Sequence, residues 1–168
     1  MSARRLLLGT SAVLTAILLQ TVVLTRLPLP GATADLPLVL VMAYALAEGP
    51  LSGMVTGFLA GLVSDSLADH AFGRLALTYA VVGYLAGFVQ DETERSTLVP
   101  FLTVAGGAAG AVLIFAGEGI LLSDPRVSLY SVVRSMASSV PYAVVLTPFV
   151  VPVVVALVRR VSPEPARR

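Results

Sequence analysis

LSGMVTGFLAGLVSDSLADHAFGRLALTYAVVGYLAG, residues 51–87, is the stretch that decides the fold. It has the composition of two apolar helices joined by a short polar turn. Both halves place glycines four residues apart: Gly53, Gly57 and Gly61 in the first, Gly83 and Gly87 in the second. Residues four apart share one helix face, and a glycine face lets a second backbone approach closely in lipid. The stretch therefore predicts a helical hairpin at the centre of a membrane bundle.

The composition of the whole chain agrees with a membrane location. Of its 168 residues, 57% are hydrophobic and 12% are charged, which is too apolar for an ordinary soluble domain. There is no Cys and one His, so thiolate or His-cluster metal sites are excluded. The arginines stand singly or in pairs between apolar runs, so no nucleic-acid face is expected. We expect no cofactor, and we expect the lipid bilayer to surround the chain.

Six apolar segments predict six transmembrane helices in a single compact all-α bundle, and their approximate bounds are Leu6–Thr25, Leu36–Ala47, Leu51–Leu67, Phe72–Val89, Leu98–Leu122 and Val140–Val158. The first is too long for the apolar region of a signal peptide, so we expect it to be retained. The last contains three prolines and should be kinked or locally unwound. The intervening segment 123–139 is open to three interpretations: a loop, an interfacial helix, or part of the last span.

The arginines near the helix ends predict the orientation, because cytoplasmic ends of membrane helices are enriched in basic residues. With the N-terminus inside, the cytoplasmic side collects Arg4, Arg5, Arg95, Arg159, Arg160, Arg167 and Arg168. The outer side collects the smaller group, Arg26, Arg74, Arg126 and Arg134. We therefore expect a multi-pass protein with both termini in the cytoplasm.

Few polar residues could form a site. Asp65 follows Gly61 by four residues near the outer end of its span, and it is either a structural or recognition group or an interfacial residue that ends the helix. Glu118 lies about 30 Å along the fifth span and is interpreted as a solvated residue at the helix end. Tyr79 is expected to pack in the core with its hydroxyl bonded to a neighbour. No nucleophile–base set, nucleotide loop or metal motif is visible, so no catalytic residue is proposed.

The candidate positions for helix packing or partner docking all lie in the hairpin. They are Gly53, Gly57, Gly61, Asp65, Gly83, Tyr84 and Gly87. Glycines Gly106 and Gly110 add a further small-residue pair in the fifth span. This spacing indicates close packing without identifying which helix meets which.

Several motifs together resemble the rod shape-determining protein MreD family. They are AILLQTVVLTRLPLPG around Gln20, DLPLVL from Asp35, EGPLSG from Glu48, GFLAGL from Gly57 with Asp65, Phe72-Gly73 with Leu75, and VGYLAG from Val82. The loop after Asp65 departs from the family pattern, because an aspartate and a histidine stand at 69–70 where small residues are expected.

The resemblance implies a non-enzymatic membrane protein of the bacterial cell-elongation machinery. It implies binding to the single-pass protein MreC, in the neighbourhood of MreB, RodA and a penicillin-binding transpeptidase, with effects on cell shape and peptidoglycan synthesis. It also implies a fold similar to the substrate-binding subunits of energy-coupling-factor transporters. That similarity supplies the alternative function, a vitamin-type carrier whose outer pocket would use Asp65, Glu118 and Tyr79.

Overall fold

A computed structural model describes residues 35–67, 72–93, 96–123, 125 and 127–161. The predicted first span, Leu6–Thr25, lies outside these residues. The described chain is all-helical. Its helices are α1 (Leu36–Glu48), α2 (Pro50–Asp65), α3 (Arg74–Gly87), the short α4 (Gln90–Thr93), α5 (Leu98–Leu121) and α6 (Leu129–Val161).

The start and end of α1 follow from its flanking residues. The Asp35 carboxylate accepts a hydrogen bond from the Leu38 amide at 3.2 Å, which caps the first turn, and Pro37 occupies a position that needs no amide donor. Gly49 adopts a φ of 90°, a left-handed value that suits glycine, and Pro50 then begins α2. A single residue thus separates the two helices.

Helix α1 is the centre of the bundle. Val39, Val41, Met42 and Ala43 have no exposed surface, and apolar side chains are buried all round the helix. A helix that is apolar on every side is enclosed by other elements. Here α2, α3, α5 and α6 contact it. With 13 residues α1 is about 20 Å long, so it is shorter than the bilayer core.

Helices α2 and α3 make the most extensive contact in the bundle, and their backbones touch. A Cβ atom built at Gly53 would overlap the Gly83 carbonyl, and one at Gly57 would overlap the Tyr79 carbonyl. The same holds for Gly61 against the Ala76 backbone. At the far end of the hairpin, Gly87 lies against the backbone of Pro50. Glycine is required along this line because any side chain would separate the helices.

Helices α5 and α6 are long and apolar, and most of their surface faces outward. They run for 24 and 33 residues, and only about a fifth of each apolar window is buried within the protein. Large side chains such as Leu102, Leu113 and Phe149 are more than half exposed. By length and composition these two helices can cross a membrane, and lipid would cover the exposed side chains.

The structure assigns segment 123–139 to the last helix for most of its length. Helix α6 begins at Leu129 instead of the predicted Val140 and stays helical to Val161. Pro141, Pro148 and Pro152 all lie inside this continuous helix, so the local unwinding is not seen, and the predicted alternative, a kink, stays a prediction. Prolines are tolerated in membrane helices because neighbouring groups compensate for the missing backbone hydrogen bonds. Of the polar residues before Pro141, Ser131, Ser135 and Ser139 line a cavity between this helix and its neighbours.

A Gly57→Ala substitution tests the backbone contact. The new methyl group would overlap the Tyr79 carbonyl, so we expect the α2–α3 contact to open at a cost of about 1–3 kcal/mol. The matched control is Gly110→Ala, where a Cβ meets nothing within 4 Å and alanine favours the helix. Thermal unfolding of the detergent-solubilised protein should show a lower midpoint for the first variant alone. Equal midpoints for the two variants would contradict the contact.

Candidate functional site

Asp65 joins α2 to α3 at the end of the hairpin. Its carboxylate is buried and accepts hydrogen bonds from the amides of Gly73, Leu75 and Ala76 at 3.0–3.1 Å. These are donors at the start of α3, and Gly73 at the N-cap position has no side chain to satisfy them. Asp65 therefore caps a neighbouring helix across the loop, which is a structural role.

An ion pair links the start of α3 to the end of α5. The Arg74 Nε lies 3.8 Å from Glu118 Oε2, and both side chains are largely buried at 6% and 14% exposure. The same guanidinium donates to the Phe115 carbonyl at 2.9 Å and lies 3.9 Å from the centre of the Phe115 ring. Thr78 donates a long 3.4 Å hydrogen bond to the other Glu118 oxygen. The interpretation of Glu118 as a solvated residue is wrong, because Arg74 supplies an enclosed partner.

A second polar contact joins α3 to the start of α1. The buried Tyr79 hydroxyl donates to Asp35 Oδ2 at 2.6 Å, which confirms that the hydroxyl bonds to a neighbour. Asp35 thus caps α1 and also receives Tyr79. The sequence identified Asp35 only as a helix cap, because its partner lies 44 positions further along the chain.

Asp35, Arg74 and Tyr79 border a cavity of about 400 Å³ between α1, α3, α5 and α6, named here the polar cavity. One wall is apolar and is formed mainly by small side chains of α5. The polar residues lining it are Asp35, Arg74, Thr78, Tyr79, Ser131, Ser135 and Ser139, and the apolar residues of α5 are Ala108, Ala111, Val112, Phe115 and Ala116. The three serines are spaced by four residues, so they share one face of α6.

A second concave surface, named here the glycine groove, lies between α3 and α5. It has a volume of about 300 Å³, and its lining residues are Val82, Leu85, Ala86, Val89, Leu102, Thr103, Gly106, Gly107, Gly110 and Ile114. Among the residues that the structure describes, a Cβ atom at Gly106 or Gly110 would meet nothing within 4 Å. Gly107, by contrast, packs on Met42 of the core. Gly106 and Gly110 therefore form a small-residue face that no other described part of the chain covers.

The sequence-predicted positions do not all fall on one surface. The structure brings Gly53, Gly57, Gly61, Gly83 and Gly87 together along the α2–α3 contact, with Asp65 at its end. Tyr84 lies on the outer side of α3, 38% exposed, with its ring edge-to-face with Phe88 at 4.9 Å. Of the three residues suggested for a carrier pocket, only Tyr79 lines the polar cavity. Glu118 does not line it but pairs with Arg74, which does. Asp65 lies outside it and accepts hydrogen bonds from the amides at the start of α3. Within the described ranges no group of His, Cys, Asp and Glu could hold a metal ion.

The helical bundle, its two long apolar helices and its outward-facing large side chains are those expected of a membrane protein. The model of one family, the rod shape-determining protein MreD, matches residues 2–161. The chain therefore belongs to the MreD family, whose members are non-catalytic determinants of cell shape. Comparisons with curated proteins and with solved structures find no match.

A double-mutant cycle tests the ion pair. Arg74→Met alone should leave Glu118 buried without its cation and cost about 3–5 kcal/mol of unfolding free energy. Adding Glu118→Leu removes that carboxylate. We therefore expect the double variant to lose less unfolding free energy than the two single variants lose in sum. Unfolding by SDS in mixed micelles, followed by circular dichroism, measures each variant. Strictly additive losses would show that the two side chains do not interact.

Proposed function

We propose that this chain is a membrane scaffold of the cell-elongation machinery, and that its glycine groove binds the membrane helix of an MreC-like single-pass protein. The observation that carries this proposal is the uncovered face at Gly106 and Gly110. Family membership supports a role in rod shape. The groove supports a mechanism for that role, the docking of a partner's membrane helix.

The proposal rests on how helices associate in lipid. Lipid tails are as apolar as leucine, so association depends on close packing of small residues and not on water exclusion. In the α2–α3 hairpin such residues already have a partner backbone. Gly106 and Gly110 present the same kind of surface with open space above it, and a partner with one membrane helix has the shape that would fill it.

The walls of the groove suit an apolar helix. Leu85 and Leu102 stand at its sides and are 59% and 70% exposed, while Val82 and Ile114 line its interior. The leucine side chains on the two sides would enclose a helix that rests on the glycine floor. None of the groove residues is charged, so burial against the partner carries no cost of removing a charge from water.

The topology extends this proposal to the rest of the chain. We place six spans in the membrane, with Leu6–Thr25 as the first and both termini in the cytoplasm of the bacterial cell. Arg159 and Arg160, at the end of α6, support that orientation. MreB filaments, RodA and a penicillin-binding transpeptidase would then be neighbours in the same assembly, through which the scaffold regulates peptidoglycan synthesis.

The polar cavity favours a second candidate function, a substrate-binding subunit of a small-molecule transporter. Affinity purification of the tagged chain from its host, with identification of the proteins recovered, separates the two. An MreC-like protein recovered with wall synthases supports the scaffold. Transport ATPases recovered with a coupling membrane subunit would support the carrier and contradict the scaffold.

Filling the glycine groove tests the docking surface. Gly106→Leu and Gly110→Leu each place a large side chain where the partner helix would rest, and among the described residues the new Cβ atom meets nothing within 4 Å at either position. We expect each variant to insert normally into the membrane. The amount of MreC-like protein that co-purifies with it should fall at least tenfold.

The matched control is Gly117→Leu. Gly117 lies on the same helix, also has open space above it, and does not line the groove. This variant should recover the partner at the wild-type level. Normal recovery with both groove variants would refute docking at this surface.

A further inference from the structure

We propose that the polar cavity is a binding site for a small amphipathic amine, with the amine at Asp35 and the apolar body against α5. This site is separate from the glycine groove, since the two surfaces share no lining residue. The two proposals therefore stand or fall independently.

The charges of the cavity favour a cationic ligand over an anionic one. Among its described lining residues, Asp35 and Arg74 are the charged ones. Arg74 is already engaged by Glu118, by the Phe115 carbonyl and by the Phe115 ring. An anion would have to compete with these contacts, whereas a cation meets the carboxylate of Asp35.

Asp35 has capacity for a further donor. Its two oxygens accept one hydrogen bond each, from the Leu38 amide and the Tyr79 hydroxyl. An ionised carboxylate offers about four acceptor positions, so an ammonium group can add a charge-assisted hydrogen bond without displacing either donor. The Tyr79 hydroxyl also fixes the carboxylate in place before a ligand arrives.

The remaining walls define the rest of the ligand. Ala108, Ala111 and Ala116 are small, and the space above them suits a compact apolar or aromatic body. Opposite them, the Ser135 and Ser139 hydroxyls on α6 line the cavity and can bind a second polar substituent. A volume of about 400 Å³ lies within the range of small-molecule sites.

Titration calorimetry with phenethylamine on the full-length protein in detergent tests the site. Two probes of similar size provide the comparison: 2-phenylethanol has a neutral head, and 3-phenylpropionate has an anionic one. Heats of transfer into empty micelles are subtracted. We expect phenethylamine to bind at least tenfold more tightly than either comparison probe, because only it forms a charge-assisted bond with Asp35.

Variants identify the atoms involved. Asp35→Asn retains a good helix cap and an acceptor for Tyr79 but loses the charge, so amine affinity should fall about tenfold, to that of the alcohol. Asp91→Asn removes an exposed carboxylate on α4 and should change nothing. Ala111→Leu fills the cavity and should abolish binding of both the amine and the alcohol.

Three results would overturn the proposal. The first is an absence of specific binding by phenethylamine at millimolar concentration. The second is equal or tighter binding of the alcohol or the propionate. The third is unchanged amine affinity in the Asp35→Asn protein when that protein unfolds at the wild-type temperature.

Discussion

The contact on which the rest of this structure depends is the meeting of the α2 and α3 backbones. In lipid there is little hydrophobic force between helices, so the bundle must be held by close packing and internal hydrogen bonds. Gly53 against Gly83 and Gly87 against Pro50 set the register of the two helices. At the other end, Asp65 fixes the start of α3. The hairpin is thus held at both ends, and α1 packs against it as the buried centre.

The polar groups collect at one end of the bundle because of this register. The starts of α1 and α3 lie beside the ends of α2 and α5, so Asp35, Asp65, Arg74 and Glu118 come close in space from distant parts of the chain. Each of these side chains has a partner within the protein, which limits the cost of removing it from water. The polar cavity lies among them, and the glycine groove lies towards the opposite end of α3. The protein therefore has two separate surfaces with different chemistry.

Much of the fold could be predicted from the sequence. Apolar length and glycine spacing indicate membrane helices and close packing, and the motifs between Gln20 and Gly87 together were enough to identify the family. The partner of Glu118 could not be predicted, since a calculation of depth along α5 contains no information about Arg74 on another helix. Tyr84 is adjacent to Gly83, yet one residue turns it about 100° around the helix and away from the contact. The sequence left segment 123–139 open to three interpretations, because the cavity that its serines line is formed together with three other helices.

The most direct test of the account is to locate the partner helix in intact cells. A photoreactive benzoylphenylalanine replaces Leu102 in the glycine groove, or Phe149 on α6, and the two positions are similarly exposed at 70% and 69%. After illumination, crosslinked products are identified by mass spectrometry. The account predicts a crosslink to a single-pass MreC-like protein from position 102 and none from position 149. A crosslink from position 149 alone, or from neither position, would contradict docking in the groove.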